Sequence, residues 1–217
     1  VNLSAYGSEY SEPEMKYEEG ASLTSIFAIR SLGIDPMTGN ELFLYRDGSV
    51  SSLWKATETV RVGDEEPKAS GSFGVNLTYK NLTLFASFAY DWGKQTYNQT
   101  LVDGVENADI ENSNVDRRVL TQRWQKPGDI APLRNIKDMN TSTMPTSRFV
   151  QDDNELSLSA LTLSYDFNTD WLKKIRLKML RLELSTNDLF RASTVRQERG
   201  TSYPFARTFN FSLRATF

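Results

Sequence analysis

Ala206-Arg207-Thr208-Phe209-Asn210-Phe211-Ser212-Leu213-Arg214-Ala215-Thr216-Phe217 alternates polar and apolar side chains almost without interruption and stops on an aromatic residue. Successive side chains of a strand point to opposite faces. Phe209, Phe211, Leu213, Ala215 and Phe217 therefore share one face, and Thr208, Asn210, Ser212, Arg214 and Thr216 the other. One face suits hydrocarbon, the other water. A tilted strand of about 9–11 residues crosses the apolar layer of a bilayer, and 206–217 has that length. By itself this segment also fits a half-buried strand of a soluble sandwich, so the reading depends on repetition.

The pattern recurs. In 71–79, Phe73, Val75, Leu77 and Tyr79 alternate with small polar residues; in 82–92, Leu82, Leu84, Ala86, Phe88, Tyr90 and Trp92 share a face. In 155–167, Leu156 and Leu158 are out of phase with Leu161, Leu163 and Tyr165, which calls for a β-bulge near Ser159 and Ala160 to keep one face apolar. A fifth strand is expected over 175–190, with a phase change between Met179 and Leu180. The connections are very unequal: tight between Tyr79 and Leu82, short from Asp166 to Lys174, long over 93–154 and 191–205. Outer-membrane barrels have short periplasmic turns and long extracellular loops. Strands that alternate in direction place both short turns on one side and both long loops, with residues 1–70, on the other. Trp171 is then expected at the inner membrane interface and Tyr90 and Trp92 at the outer one, where amphipathic rings are favoured.

Composition alone would mislead, since 39% hydrophobic and 24% charged residues with a mean hydropathy of -0.48 describe an ordinary soluble chain. No apolar run reaches the roughly 18 residues of a transmembrane helix, which leaves a barrel open. The chain has neither cysteine nor histidine, so thiolate and imidazole nucleophiles, bases and metal ligands are missing. A net charge of -3, read as coming with no basic cluster, gives no expected electrostatic footprint for nucleic acid. Asp64-Glu65-Glu66 and Asp152-Asp153 with Glu155 read as solvated loop charges, and Asp35 to Glu41 lacks the acidic spacing of a calcium loop. No catalytic residue, metal ligand or cofactor is assigned. The chain starts at Val1 without an export signal, and five strands are too few to close a membrane barrel. Both point to a piece of a longer polypeptide.

Several blocks carry a family resemblance: Glu19-Gly20-Ala21-Ser22-Leu23, Gly33-Ile34-Asp35-Pro36-Met37-Thr38-Gly39, Gly63-Asp64-Glu65-Glu66-Pro67-Lys68, Gly71-Ser72-Phe73-Gly74, Arg123-Trp124-Gln125-Lys126-Pro127-Gly128-Asp129, Ser147-Arg148-Phe149-Val150-Gln151-Asp152, Asn187-Asp188-Leu189-Phe190 and Tyr203-Pro204-Phe205-Ala206-Arg207-Thr208-Phe209. In this order they resemble the C-terminal part of the SusC/RagA-type TonB-dependent outer-membrane transporters of Bacteroidetes. The resemblance implies an all-β fold: the last five or so antiparallel strands, with long extracellular loops, of a plugged barrel of about 22 strands. It also implies import of oligosaccharides or peptides and these partners: the rest of the barrel and its plug, a SusD-like surface lipoprotein as lid, TonB acting through the absent N-terminal part, and outer-membrane lipid. Phe209, Phe211, Leu213 and the terminal Phe217 look like the C-terminal signal read by the barrel-assembly machinery.

Within 1–70, Leu23 to Arg30 and Glu41 to Arg46 flank a turn at Asp35 to Asn40 and are expected to form an extracellular hairpin that leans on the lid. Exposed loop aromatics, Trp54, Tyr97 and Trp124, are candidates to stack on sugar faces or peptide side chains. The alternative is that they pack the loops together. A soluble or surface-attached β-sandwich that binds glycans is the competing fold, which the loop asymmetry disfavours.

Overall fold

The computed structural model describes residues 13, 19–112, 114–136, 142–167, 169–174, 176–196 and 207–217, without the side chains of residues 169 and 171. Their contacts divide them into two units. One combines the described residues up to Pro67 with those of 94–152 and 195–202; the other combines 68–93, 153–194 and the described residues from 207 on.

The first unit, built from segments expected to be loops, is folded about cores of its own. Strands β1 (Ser25–Ala28), β2 (Arg30–Ile34), β3 (Glu41–Leu44), β4 (Val50–Ser51) and β5 (Val60–Asp64) form two small antiparallel sheets, β1-β5 and β2-β3-β4. The hairpin around Asp35 to Asn40 exists, but its first arm is corrected: β2 pairs with β3, whereas β1 leaves to pair with β5. Ile26-Phe27-Ala28-Ile29 is an uninterrupted apolar run, and all four residues are buried, which an arm of a solvated hairpin does not allow. Three apolar clusters hold the unit: Ile26, Tyr97, Val102 and Phe149; Ile29, Phe43 and Tyr45; Val105, Ala108, Val119 and Leu133. Between the strands, short helical turns at Gln99–Leu101, Val102–Glu106, Arg118–Thr121 and Ser147–Phe149 break up the expected long connection.

The second unit holds most of the five-stranded antiparallel sheet expected from the alternation, residues 94–97 of β7 and 150–152 of β8 belonging to the first. β6 (Ala69–Tyr79), β7 (Leu82–Tyr97), β8 (Val150–Asp166), β9 (Met179–Ser193) and β10 (Phe209–Thr216) lie side by side in chain order. β7 and β8 are longer than the apolar alternation, because polar extended residues continue both beyond Trp92 and before Glu155. Lys80 turns the β6–β7 hairpin with φ 54, and Tyr79 faces Leu82 across it. The register between β8 and β9 shifts between Leu158 and Ala160, where the phase of the leucines demanded it. The extra residue, however, belongs to β9: from Leu158↔Phe190 to Ala160↔Asn187, β8 advances two residues and β9 three. Asp188, with φ 50, sits in that step. Ile175, Ala206 and the block from Tyr203 to Phe205 lie outside the described residues, as does 197–205 of the connection before β10.

Burial is inverted relative to the names strand and loop. Apart from Leu172, every buried apolar side chain among the described residues lies in the first unit. All eleven residues of β6 and all eight of β10 are exposed.

Candidate functional site

Two arrangements carry functional content: the apolar face of the sheet, and a buried ionic centre in the first unit. On the sheet, Phe73, Val75, Leu77 and Tyr79 of β6 face Phe88, Ala86, Leu84 and Leu82 of β7, while Thr78, Asn76, Gly74 and Ser72 face Thr83, Phe85, Ser87 and Ala89. Phe73 stacks on Phe88 with ring centroids 5.0 Å apart. On the other flank Phe211, Leu213 and Ala215 face Leu184, Leu182 and Leu180, and from β8 Leu163 faces Leu184 and Tyr165 faces Leu182. The neighbouring positions are Asn210↔Ser185, Ser212↔Glu183 and Ser164↔Glu183. Cross-strand pairs of like polarity thus sort the sheet into an apolar and a largely polar side. Asp166 closes the polar side at one end with a two-pronged contact to Arg181, at 2.6 and 2.8 Å.

Of the residues expected at membrane interfaces, Tyr90 and Trp92 occupy the apolar side of β7 opposite Gly71 and Ala69. Trp171 belongs to the short helix Thr169–Lys174, its side chain being outside those described. Phe209, Phe211, Leu213 and Phe217 are 58, 68, 60 and 81% exposed. Such exposure of a contiguous apolar surface needs another apolar phase or a partner to cover it.

The ionic centre was not foreseen. Arg148 donates to Glu41 at 2.9 Å and to Glu106 at 2.6 Å through Nη2, and to the Pro132 carbonyl through Nη1 at 2.6 Å. Arg134 approaches Glu106 at 3.8 Å, and Arg123 donates to the carbonyls of Val105, Glu106 and Arg134. Burial works against the Arg148 charge, but the hydrogen bond to Glu41 and the charge of Glu106 outweigh it and raise its pKa above the ordinary value. Burial lowers that of Arg123, with the neighbouring charges of Arg134 and Arg148 acting in the same sense. The signal that could have found this centre is the position of Arg123 and Arg148 inside two family blocks; nothing local marks Glu106.

Around it, the loop aromatics pack the unit rather than open to solvent. The exposure expected of Tyr97 and Trp124 is corrected: they are only 9 and 8% exposed. Trp54 is half-buried against Ile29, Phe43 and Tyr45. Tyr97 meets Phe149 edge to face, and burial pushes its phenol pKa up. Trp54 Nε1 donates to the Pro145 carbonyl at 3.1 Å and Trp124 Nε1 to that of Pro36 at 2.8 Å. A ring whose N–H is spent on a distant backbone acts as a pin.

Trp124 pins the hairpin tip. Gly39, with φ +74, lies so close that an added Cβ would stand 2.5 Å from the indole and 2.7 Å from Asn135 Cβ. Gly39→Ala is expected to cost about 2 kcal/mol through left-handed strain and the clash. Hydrogen exchange over 35–40 is the readout, and unchanged protection there would refute it. Asn98 is a second pin: it caps the following turn by accepting from Leu101 N at 3.0 Å and donates to Gln151 and the Arg196 carbonyl. Asn98→Ala should cost about 1 kcal/mol, seen as faster exchange at Leu101 and Val102 with the sheet unaffected.

No family model matches the chain. Among curated proteins it is similar to TonB-dependent receptor P39 of Formosa agariphila, 24% identical over 71% of this chain and 15% of the relative. It is also similar to TonB-dependent receptor P3 of the same organism, 27% identical over 85% and 17%. Both of these similar proteins are TonB-dependent receptors. This chain spans about a sixth of the length of those two. Among solved structures it is similar to the RagAB peptide importer in its open-open state, with a TM-score of 0.66, 21% identity, and coverage of 79% of this chain and 19% of the other. A second RagAB peptide transporter structure gives 0.64 at the same identity and coverage.

At that identity the likeness to RagAB carries the fold, and it agrees with the all-β architecture expected of a TonB-dependent receptor. The proteins matched are receptors and transporters, not enzymes. Among the described residues, β6 and β10 are the two outer strands of the sheet and leave its edges unpaired. An unpaired edge is an aggregation hazard.

Proposed function

We propose that this chain forms the C-terminal wall and the extracellular loops of an outer-membrane TonB-dependent importer. The observation that carries this is the inverted burial: a five-stranded sheet with an exposed apolar side, and a loop unit with its own core. A sandwich-type binding module would bury that apolar side beneath a second sheet. Lipid covers it in this reading, the polar side faces the barrel lumen and its plug, and Tyr90, Trp92 and Trp171 lie at the interfaces. Phe209, Phe211, Leu213 and Phe217 serve the assembly machinery as well as the wall.

The domain division proposed is an extracellular region over 1–70, and barrel strands within 71–217 whose connections 93–154 and 191–205 lie outside the cell. The substrate is an oligosaccharide or a peptide; the RagAB neighbours are named a peptide importer. A SusD-like lipoprotein lid would rest on the loop unit, and TonB would act through the plug supplied by the rest of the polypeptide.

Single cysteines test this cleanly against a chain that contains none. In cells carrying the parent protein, a membrane-impermeant maleimide should label Ile130→Cys, at a position 94% exposed, and leave Lys80→Cys in the short turn unlabelled until the outer membrane is breached. Equal labelling of both in intact cells would defeat the proposed sidedness. Mass spectrometry of small molecules carried by the natively extracted complex would distinguish peptide from oligosaccharide.

A further inference from the structure

The expectation of no basic cluster is corrected by the fold: basic side chains from two turns distant in sequence collect at the short-turn end of the five-stranded sheet. Lys80 lies in the β6–β7 turn, and Lys173, Lys174, Arg176 and Lys178 lie between β8 and β9; all five are exposed. The two turns make one surface, because Asn81 Nδ2 donates to the Asp166 carbonyl and Asp166 N donates back to that of Asn81 at 2.9 Å. Among the described residues of these turns the opposing charge is small. Asp170 reaches Lys173 at 3.5 Å, and Asp166 is taken by Arg181. This excess of positive charge sits in a chain whose net charge is -3.

The cations border the apolar side of the sheet. Tyr79 and Phe217, 72 and 81% exposed, stand at the same end, and Lys80 Nζ lies 5.3 Å from the centroid of the Tyr79 ring. Lys178 N donates to the Thr216 carbonyl at 2.8 Å, which brings the end of β10 to the cluster. Exposed aromatic rings at the rim of an apolar surface, with long flexible cations just beyond them, match the layering of a bilayer: acyl chains, then interface, then phosphate. A soluble polyanion would satisfy the charge but leave the adjoining rings and leucines in water.

We propose that Lys80, Lys173, Lys174, Arg176 and Lys178 form a basic collar that holds the phosphates of anionic phospholipid headgroups at the short-turn rim of the sheet. This rests on the reading of the sheet as a membrane wall, and it adds a lipid preference and a side to that reading. The collar anchors the rim at a fixed depth, since the rings fix the apolar boundary and the ammonium groups the headgroup level.

The test uses the intact parent barrel in nanodiscs of phosphatidylglycerol and phosphatidylcholine in equal amounts, with the lipid that stays with the protein on re-extraction quantified. Phosphatidylglycerol should be enriched, and molar salt should abolish the enrichment by screening. With each cation near the surface worth about fivefold, the variant Lys80→Gln, Lys173→Gln, Lys174→Gln, Lys178→Gln should lose at least about tenfold of the enrichment. Equal retention of the two lipids, enrichment that survives molar salt, or a folded variant as enriched as the wild type would overturn the collar. Release by inorganic phosphate, but not by chloride at equal ionic strength, would make the ligand a free anion and overturn the lipid assignment. A wild-type barrel that does not enter nanodiscs overturns the wall reading and the collar with it; entry without enrichment overturns the collar alone.

Discussion

Arg148→Ala should unfold the loop unit locally while the sheet persists. The substitution leaves Glu106, whose side chain is 0% exposed, and Glu41, at 6%, without their shared cation. Breaking a buried ion pair from one side costs about 3–5 kcal/mol, because the remaining charge stays desolvated. Three segments lose their common attachment together: β3 through Glu41, the turn after β7 through Glu106, and the stretch around Pro132. Arg191→Ala is the control. Arg191 meets Glu155 at a similar 2.8 Å, but its side chain is 43% exposed, and an exposed pair contributes at most about 1 kcal/mol. Limited proteolysis and hydrogen exchange of the intact parent should show the loop unit opening in the first variant only. Equal stability of the two would mean that the buried centre does not hold the loops.

Phe211→Arg is the corresponding test of the wall. Phe211 faces Leu184 near the middle of β10, so in the proposed orientation its side chain lies near the bilayer midplane. An arginine there costs about 2–4 kcal/mol in a membrane barrel. Ser212→Arg, one residue on, places the same charge on the opposite side beside Glu183 and should be nearly neutral. Urea titration of the parent barrel, read by its heat-dependent mobility on gels, gives the two values. If they coincide, the assignment of faces is wrong.

The wall is written in local sequence, and the ionic centre is not. Every term of the second prediction is local. Strand alternation has a period of two, so Phe209, Phe211 and Leu213 share a side whatever the strand pairs with, and the pairing then only joins like sides. The phase conflict between Leu158 and Leu161 likewise announced a register shift, although which strand holds the extra residue depended on the partner. The first prediction has no such source. Glu41 and Arg148 are 107 residues apart, and Trp54 and the carbonyl that it binds are 91 apart. Trp54 and Trp124, read as open contact surfaces, act as pins for that reason: a tryptophan in a long connection looks alike in sequence whether it meets a ligand or a distant carbonyl.

The sequence by itself determined the sheet, its two sides and the inequality of its connections, because each follows from periodicity and turn chemistry within about a dozen residues. Only the tertiary structure decided that the long connections are a folded unit, that β1 deserts the hairpin for β5, and that two glutamates and three arginines meet out of water. Those contacts depend on how chain segments far apart in sequence fill a common volume and neutralise one another's charge, which no local pattern encodes.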